Sequence, residues 1–218
     1  MNTPDSIRAL LQSEDFGDRL RGINQLRTID PAIAFELIQI PVADPNVRVR
    51  YAAVSQLASL GSQNRETALA LLKVALADAE PDIQAAAADS IGALKLTEAY
   101  EQLESLYRRT PEWLVSFSVI AALGELGDPR SFDLLKEALN SESELVQTAA
   151  IGSLGELGDV RAVELLTPYA TNPDWQIRYR VVQALAQLNT PEARSTLQTL
   201  TQDEAEQVAE QARQVLAA

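Results

Sequence analysis

One apolar position recurs along this chain. Leu26, Leu57, Ile91, Leu123, Leu154, Leu185 and Leu216 stand 31 to 34 residues apart, and a period of that length marks a helical repeat that stacks into a solenoid. The repeat is plainest from Glu144 to Ala170, ELVQTAAIGSLGELGDVRAVELLTPYA. Val146, Ala150, Leu154 and Leu157 fall at i, i+4, i+8 and i+11, one stripe of a 3.6-residue helix. Gly158 then closes that helix, because a residue at ease with positive φ ends a C-terminus at little cost. Asp159 is placed to cap the next helix, whose Val163, Leu165 and Leu166 turn inward. So small a helix pair cannot bury its apolar surface alone and needs copies on either side.

The same punctuation predicts the other units. Gly61, Gly127 and Gly158 occupy the left-handed cap position, and Asn189 substitutes for glycine in the sixth unit. The third unit has Leu94-Lys95-Leu96 there instead. Helices are predicted to open at Thr3-Pro4-Asp5 and to run over residues 16–29, 31–40, 47–60, 66–77, 82–94 and 98–108. Thr110-Pro111, Asp128-Pro129, Asn172-Pro173 and Thr190-Pro191 open later helices, and the last spans residues 203–216. Its Glu- and Gln-rich outer face suits a capping helix. With no linker or low-complexity segment, residues 1–218 read as one array of about six repeats with a degenerate first repeat.

Composition narrows the chemistry. The chain has no cysteine and no histidine, which removes disulfides, thiolate nucleophiles, covalent thioether cofactors, the commonest general base and the commonest metal ligand. No acidic cluster has the spacing of a calcium loop, so no metal is expected. Net charge is −13, and such a surface repels phosphate backbones and anionic membranes. Residues 1–50 are nearly balanced, with six Arg against seven Asp and Glu, while the rest carries 12 basic against 24 acidic residues. The early arginines read chiefly as solvated helix faces. No signal peptide or membrane span is evident, which predicts a cytoplasmic protein without membrane insertion.

Function, in this reading, falls to the surface of the first helices. If Val49, Ala53, Leu57 and Leu60 face the core, then Val47 and Tyr51 point the opposite way. Across the units that second stripe reads Val47/Tyr51, Pro81/Ala85, Trp113/Phe117, Glu144/Thr148 and Trp175/Tyr179. Both tryptophans of an aromatic-poor chain fall on it, so Tyr51, Trp113, Phe117, Trp175 and Tyr179 are candidates for binding a flat conjugated ligand or a partner's helix. Packing of each Trp on its own turn is the competing reading. Arg50 and Arg178 follow core positions, and a ladder of contacts to turn carboxylates and carbonyls accounts for them more simply than an anionic ligand does. Arg48 and Arg180 flank them as exposed candidates. No residue stands out as catalytic, and Asp128 and Asp159 read as caps.

The segments VRVRYAAVSQLASLG, LVQTAAIGSLGELGDVRAVELL and DWQIRYRVVQALAQL resemble HEAT-like repeats of the phycobilisome bilin lyase type, over nearly the whole chain. The opening DFGDRLRGINQLRTIDPAIAFELI is similar to the phycobilisome degradation branch of that group. The resemblance implies an all-α, right-handed superhelical solenoid of HEAT-like helix-turn-helix repeats. It implies phycobiliprotein subunits and other phycobilisome degradation proteins as partners. It also implies phycocyanobilin as a ligand bound without a covalent link, with lyase-like activity in chromophore detachment. The alternatives are a subunit of a heterodimeric bilin lyase that attaches the pigment, and a scaffold or assembly factor with no ligand of its own.

Overall fold

The computed structural model describes residues 2–217. Among them are fourteen α-helices and no strand. In order these are α1 (Pro4–Leu11), α2 (Phe16–Gln25), α3 (Pro31–Ile38), α4 (Val47–Leu60), α5 (Arg65–Ala75), α6 (Pro81–Ala93) and α7 (Tyr100–Arg109). They continue as α8 (Trp113–Leu126), α9 (Ser131–Ala138), α10 (Glu144–Leu157), α11 (Ala162–Leu166), α12 (Trp175–Leu188), α13 (Pro191–Leu200) and α14 (Glu206–Ala217). The helices cluster into two compact units that divide within α8, one ending at Ala122 and the other beginning at Leu123. No helix among the described residues is long and apolar enough to cross a membrane.

In the first unit α4 is central. It packs on α6, α2 and α3, and its Val49, Ala53 and Leu57 are wholly buried, with Leu60 half-buried at the end of the stripe. Leu26 and Ile91, one repeat to either side of Leu57, are buried too. Two polar ties cross between helices: Gln56 Nε2 donates to Ile23 O at 3.1 Å and Ser90 Oγ to Val54 O at 3.0 Å. Each satisfies a buried polar group, which would otherwise destabilise the core by about 1–3 kcal/mol.

The second unit repeats the arrangement with α10 on α12, α9 on α10, and α14 on both α12 and α13. Val146, Ala150, Leu154 and Leu185 are buried, as the stripe requires. Here the helices approach so closely that small residues are obligatory. A Cβ on Gly155 would lie 2.6 Å from Ala184 Cα, and one on Gly124 would lie 2.7 Å from Ser153 Cα.

The helix ends follow the sequence in most places. Gly127 and Gly158 are left-handed at φ 64° and 73°, and Asn189 at φ 47°. Gly61 is not: its φ is −63°, and the chain continues through a 3-10 turn at Gly61–Gln63. Glycine stands there for space, since a Cβ would meet Leu94 Cδ1 at 2.6 Å and Ala68 Cβ at 2.9 Å. In the third unit Lys95 takes the left-handed conformation itself, at φ 51°. Arg65 holds that turn by donating to Leu94 O at 2.6 Å and Lys95 O at 3.1 Å. The second helix of the fifth unit is only five residues long and passes into a 3-10 turn at Thr167–Thr171, because Pro168 has no N–H to continue the α-helical pattern.

Candidate functional site

The arginines that follow core positions are occupied structurally. Arg50 donates Nε and Nη2 to the two carboxylate oxygens of Asp78 at 2.9 and 3.1 Å, and its Nη1 caps the carbonyls of Asp44 and Pro45. Arg178 makes the same set with Asp203 at 2.7 and 2.8 Å and with the carbonyls of Asn172 and Pro173. Arg19 repeats it with Asp44 and the carbonyls of Ser13 and Glu14. Gln84 and Gln147 substitute in other repeats, each donating to a turn carbonyl. Arg50 and Arg178 are therefore ladder residues, with Arg178 only 5% exposed, and their guanidinium nitrogens are committed to the turns rather than to a ligand. Hydrogen bonding from Arg178 holds the Asp203 pKa below the usual carboxylate range, against the opposing effect of burial. Burial also works against the charge of Asp78, and hydrogen bonds from Arg50 and the Glu80 N–H overcome it, so its pKa is lowered as well.

Asp128 and Asp159 do not cap helices. Their carboxylates accept from the N–H groups and side chains of Arg130 and Arg161, so they shape the turns before α9 and α11. Hydrogen bonding from those arginines lowers both aspartate pKa values. The Arg161 guanidinium also lies 3.8 Å above the Phe132 ring, a cation–π contact.

The aromatic stripe divides. In the first unit Tyr51 and Arg48 of α4 face Asp82, Ala86 and Asp89 of α6 and Leu114 of α8 across a trough of about 350 Å³. Asp89 is exposed as a residue, yet desolvation of its carboxyl group in the trough raises its pKa, while a hydrogen bond with Ser118 acts the other way. Trp113 stands 53% exposed at the start of α8 and Phe117 is half-buried one turn on. Neither lines this trough.

The second unit has the larger groove, about 640 Å³, within the range of about 300–1,000 Å³ usual for small-molecule sites. Trp175, Tyr179 and Arg180 of α12 form one side and Thr148 of α10 its edge. Trp175 is 41% exposed. The Arg180 stem passes near Gly152, where an added Cβ would be 3.6 Å from its Cδ, and its Nη1 donates to Gln183 Oε1. The opposite side is α14, through Gln207, Glu210, Gln211 and Gln214. These glutamines escape a reading of the sequence that treats α14 as a solvated cap. Their i, i+4, i+7 spacing is the signal that one face of α14 is amide-rich. Tyr179 Oη donates to Gln211 Oε1 at 3.2 Å and ties the two sides.

Arrays of paired helices with an arginine–aspartate ladder and grooves on the first-helix side define a helical-repeat protein. HEAT repeats match the chain over residues 34–121, 68–154 and 135–217, and it belongs to the HEAT-repeat proteins. No protein of curated function matches its sequence. Among solved structures it is similar to the complex of CpcE and CpcF of phycocyanin lyase from Nostoc sp., at 22% identity and a TM-score of 0.67, covering 100% of this chain and 94% of that one. It is also similar to YibA of E. coli, at 17% identity and a TM-score of 0.69, covering 99% and 82% of the two chains. A HEAT-like repeat protein of Thermococcus onnurineus is 16% identical with a TM-score of 0.59, covering 99% and 96%. At these identities the likeness establishes the fold.

Proposed function

We propose that this chain is a bilin-handling factor that engages phycobiliprotein subunits and holds phycocyanobilin, without a covalent link, in the groove of its second unit. The observation that carries the reading is that groove: Trp175 and Tyr179 offer aromatic surface one helical turn apart, with the Arg180 cation beside them. A flat tetrapyrrole stacks on such rings, and Arg180 supplies a partner for a propionate. The fold likeness to the phycocyanin lyase complex supports the choice of ligand and partner, as does the similarity of the opening segment to phycobilisome degradation proteins such as NblB.

With no cysteine in the chain, bond changes belong to the phycobiliprotein's own thioether. Detachment breaks the C–S bond by elimination: sulfur leaves with the electron pair as thiolate, and the pigment gives up a proton as its exocyclic double bond re-forms. No oxidant is needed. A protein that binds the released pigment more tightly than the attached one draws this equilibrium toward release. Mixing the chain with holo-phycocyanin subunits is expected to lower their visible absorbance and leave apo-protein, while apo-subunits and free pigment yield no adduct. The reverse pattern, especially with a second related chain present, would assign it instead to pigment attachment, the reading that the likeness to the lyase complex favours. No response in either mixture and no pigment binding would leave a scaffold.

A further inference from the structure

We infer that α14 is a ligand-reading wall of the second-unit groove, its glutamines recognising the lactam and pyrrole N–H and C=O edge of an open-chain tetrapyrrole. The inference rests on the proposed bilin reading and assigns the side of the site that the aromatic stripe does not supply. α14 buries Val208, Ala209 and Ala212, and Gln207, Gln211 and Gln214 line the groove. A primary amide both donates and accepts, which suits a ligand edge that alternates the two. Protein contacts already present orient two of these amides, those of Gln211 and Gln214. Gln211 Oε1 accepts from Tyr179, leaving its Nε2 hydrogens to donate. Gln214 Nε2 donates to Glu210 Oε1 at 3.1 Å, leaving its own carbonyl oxygen to accept.

Charge supports this assignment. The chain carries −13 overall, yet the groove lining holds one cation, Arg180, and one anion, Glu210, among otherwise uncharged groups. A carboxylate-bearing ligand meets less repulsion there than on the acidic surface at large. Neutral amides also select for hydrogen-bonding pattern rather than charge, a division of labour in which Arg180 takes the propionate and α14 takes the ring edge. The Tyr179–Gln211 bond makes Gln211 a positioning residue for the tyrosine ring as well.

The test uses the full chain, free phycocyanobilin and its dimethyl ester, with binding read from pigment absorbance and induced circular dichroism. Each of Gln207→Ala and Gln214→Ala is expected to weaken binding roughly five- to tenfold, the size of one neutral hydrogen bond, with the thermal midpoint unchanged. The ester is expected to bind the unaltered chain more weakly yet show the same sensitivity to the glutamine changes, since it keeps the ring edge. If the unaltered chain binds pigment and Trp175→Ala abolishes this while the double glutamine variant binds normally, α14 is not a reading wall and the bilin reading stands. The wall is equally ruled out if the glutamine changes weaken only binding of a phycobiliprotein subunit. If the unaltered chain binds no pigment, both ideas fall.

Discussion

Arg178 grips Asp203 with two parallel bonds, Nε to Oδ2 at 2.7 Å and Nη2 to Oδ1 at 2.8 Å. Asp203 in turn accepts the N–H of Ala205 at 2.8 Å, so one carboxylate fixes both an arginine and its own turn. The same geometry joins Arg19 to Asp44 and Arg50 to Asp78. Both side chains of the Arg178 pair are about 6% exposed. Removing one partner strands a buried charge, which destabilises by about 3–5 kcal/mol. Arg178→Ala is therefore expected to lose that much in urea denaturation. Arg21→Ala, which breaks the exposed pair with Asp18, is expected to lose at most about 1 kcal/mol.

The ladder also sets a pH dependence. The folded-state pKa values of Asp203 and Asp78 are lowered, so below the unfolded value, about 3.9, the unfolded chain binds more protons than the folded one. Their contribution to stability is fully present above that value and is lost as pH falls through the lower folded one. Thermal melts are expected to hold steady near neutrality and drop below about pH 4. In Arg178→Ala the acid drop is expected to be shallower, because Asp203 no longer has a depressed pKa to lose. An unchanged acid limb in that variant would count against the assignment.

Two glycines of one helix make a packing test. A Cβ at Gly155 would collide with Ala184 Cα at 2.6 Å, whereas at Gly152 the nearest atom would be Arg180 Cδ at 3.6 Å. Gly155→Ala must push α10 and α12 apart, a shift expected to destabilise by about 1–3 kcal/mol. Gly152→Ala has room and removes a flexible residue from a helix interior, so it is expected to stabilise by about 0.5–1 kcal/mol. Paired denaturation curves read the difference in sign.

Most of the fold is legible because repetition reinforces weak signals. Each helix pair is short, but Leu57, Ile91, Leu154 and Leu185 share one register, and all four are buried. Gly61 shows the limit of that reasoning: the same residue at the same position serves space rather than left-handed backbone, a distinction set by Leu94 and Ala68 from elsewhere in the chain. The groove is only half legible. Trp175 and Tyr179 stand out by composition, but Gln207, Gln211 and Gln214 acquire meaning only once α14 lies beside α12. A polar face on a last helix reads as solvated until something across from it is known.

Lys95 is where the third unit departs from the glycine rule. Its φ of 51° places a Cβ-bearing residue in a conformation that costs roughly 1–2 kcal/mol, and Arg65 holds the turn through its carbonyls. Lys95→Gly is expected to raise stability by about 1 kcal/mol by relieving that cost. Lys95→Ala keeps a Cβ and is expected to gain nothing. Equal midpoints for the two variants would show that backbone relief is not what matters there.

The last prediction separates the aromatic residues by place. Trp175 and Tyr179 line the groove proposed for pigment, whereas Tyr51 lines the trough of the first unit and Phe117 is half-buried in α8. Trp175→Ala and Tyr179→Ala are expected to weaken phycocyanobilin binding at least tenfold, since each removes stacking surface. Trp175→Ala is expected to change stability by under about 1 kcal/mol, less than truncation of a core aromatic, which costs about 3–5 kcal/mol. Tyr179 is half-buried and bonded to Gln211, so Tyr179→Ala is expected to lose more than Trp175→Ala but less than that core range. Tyr179→Phe keeps the ring but loses the bond to Gln211, so it is expected to fall between the unaltered chain and Tyr179→Ala. Phe117→Ala is expected to show the opposite split, with a measurable loss of stability and pigment affinity unchanged. Titrations and melts on the same preparations decide the matter. If Tyr51→Ala weakens pigment binding and Trp175→Ala does not, the ligand belongs in the first-unit trough.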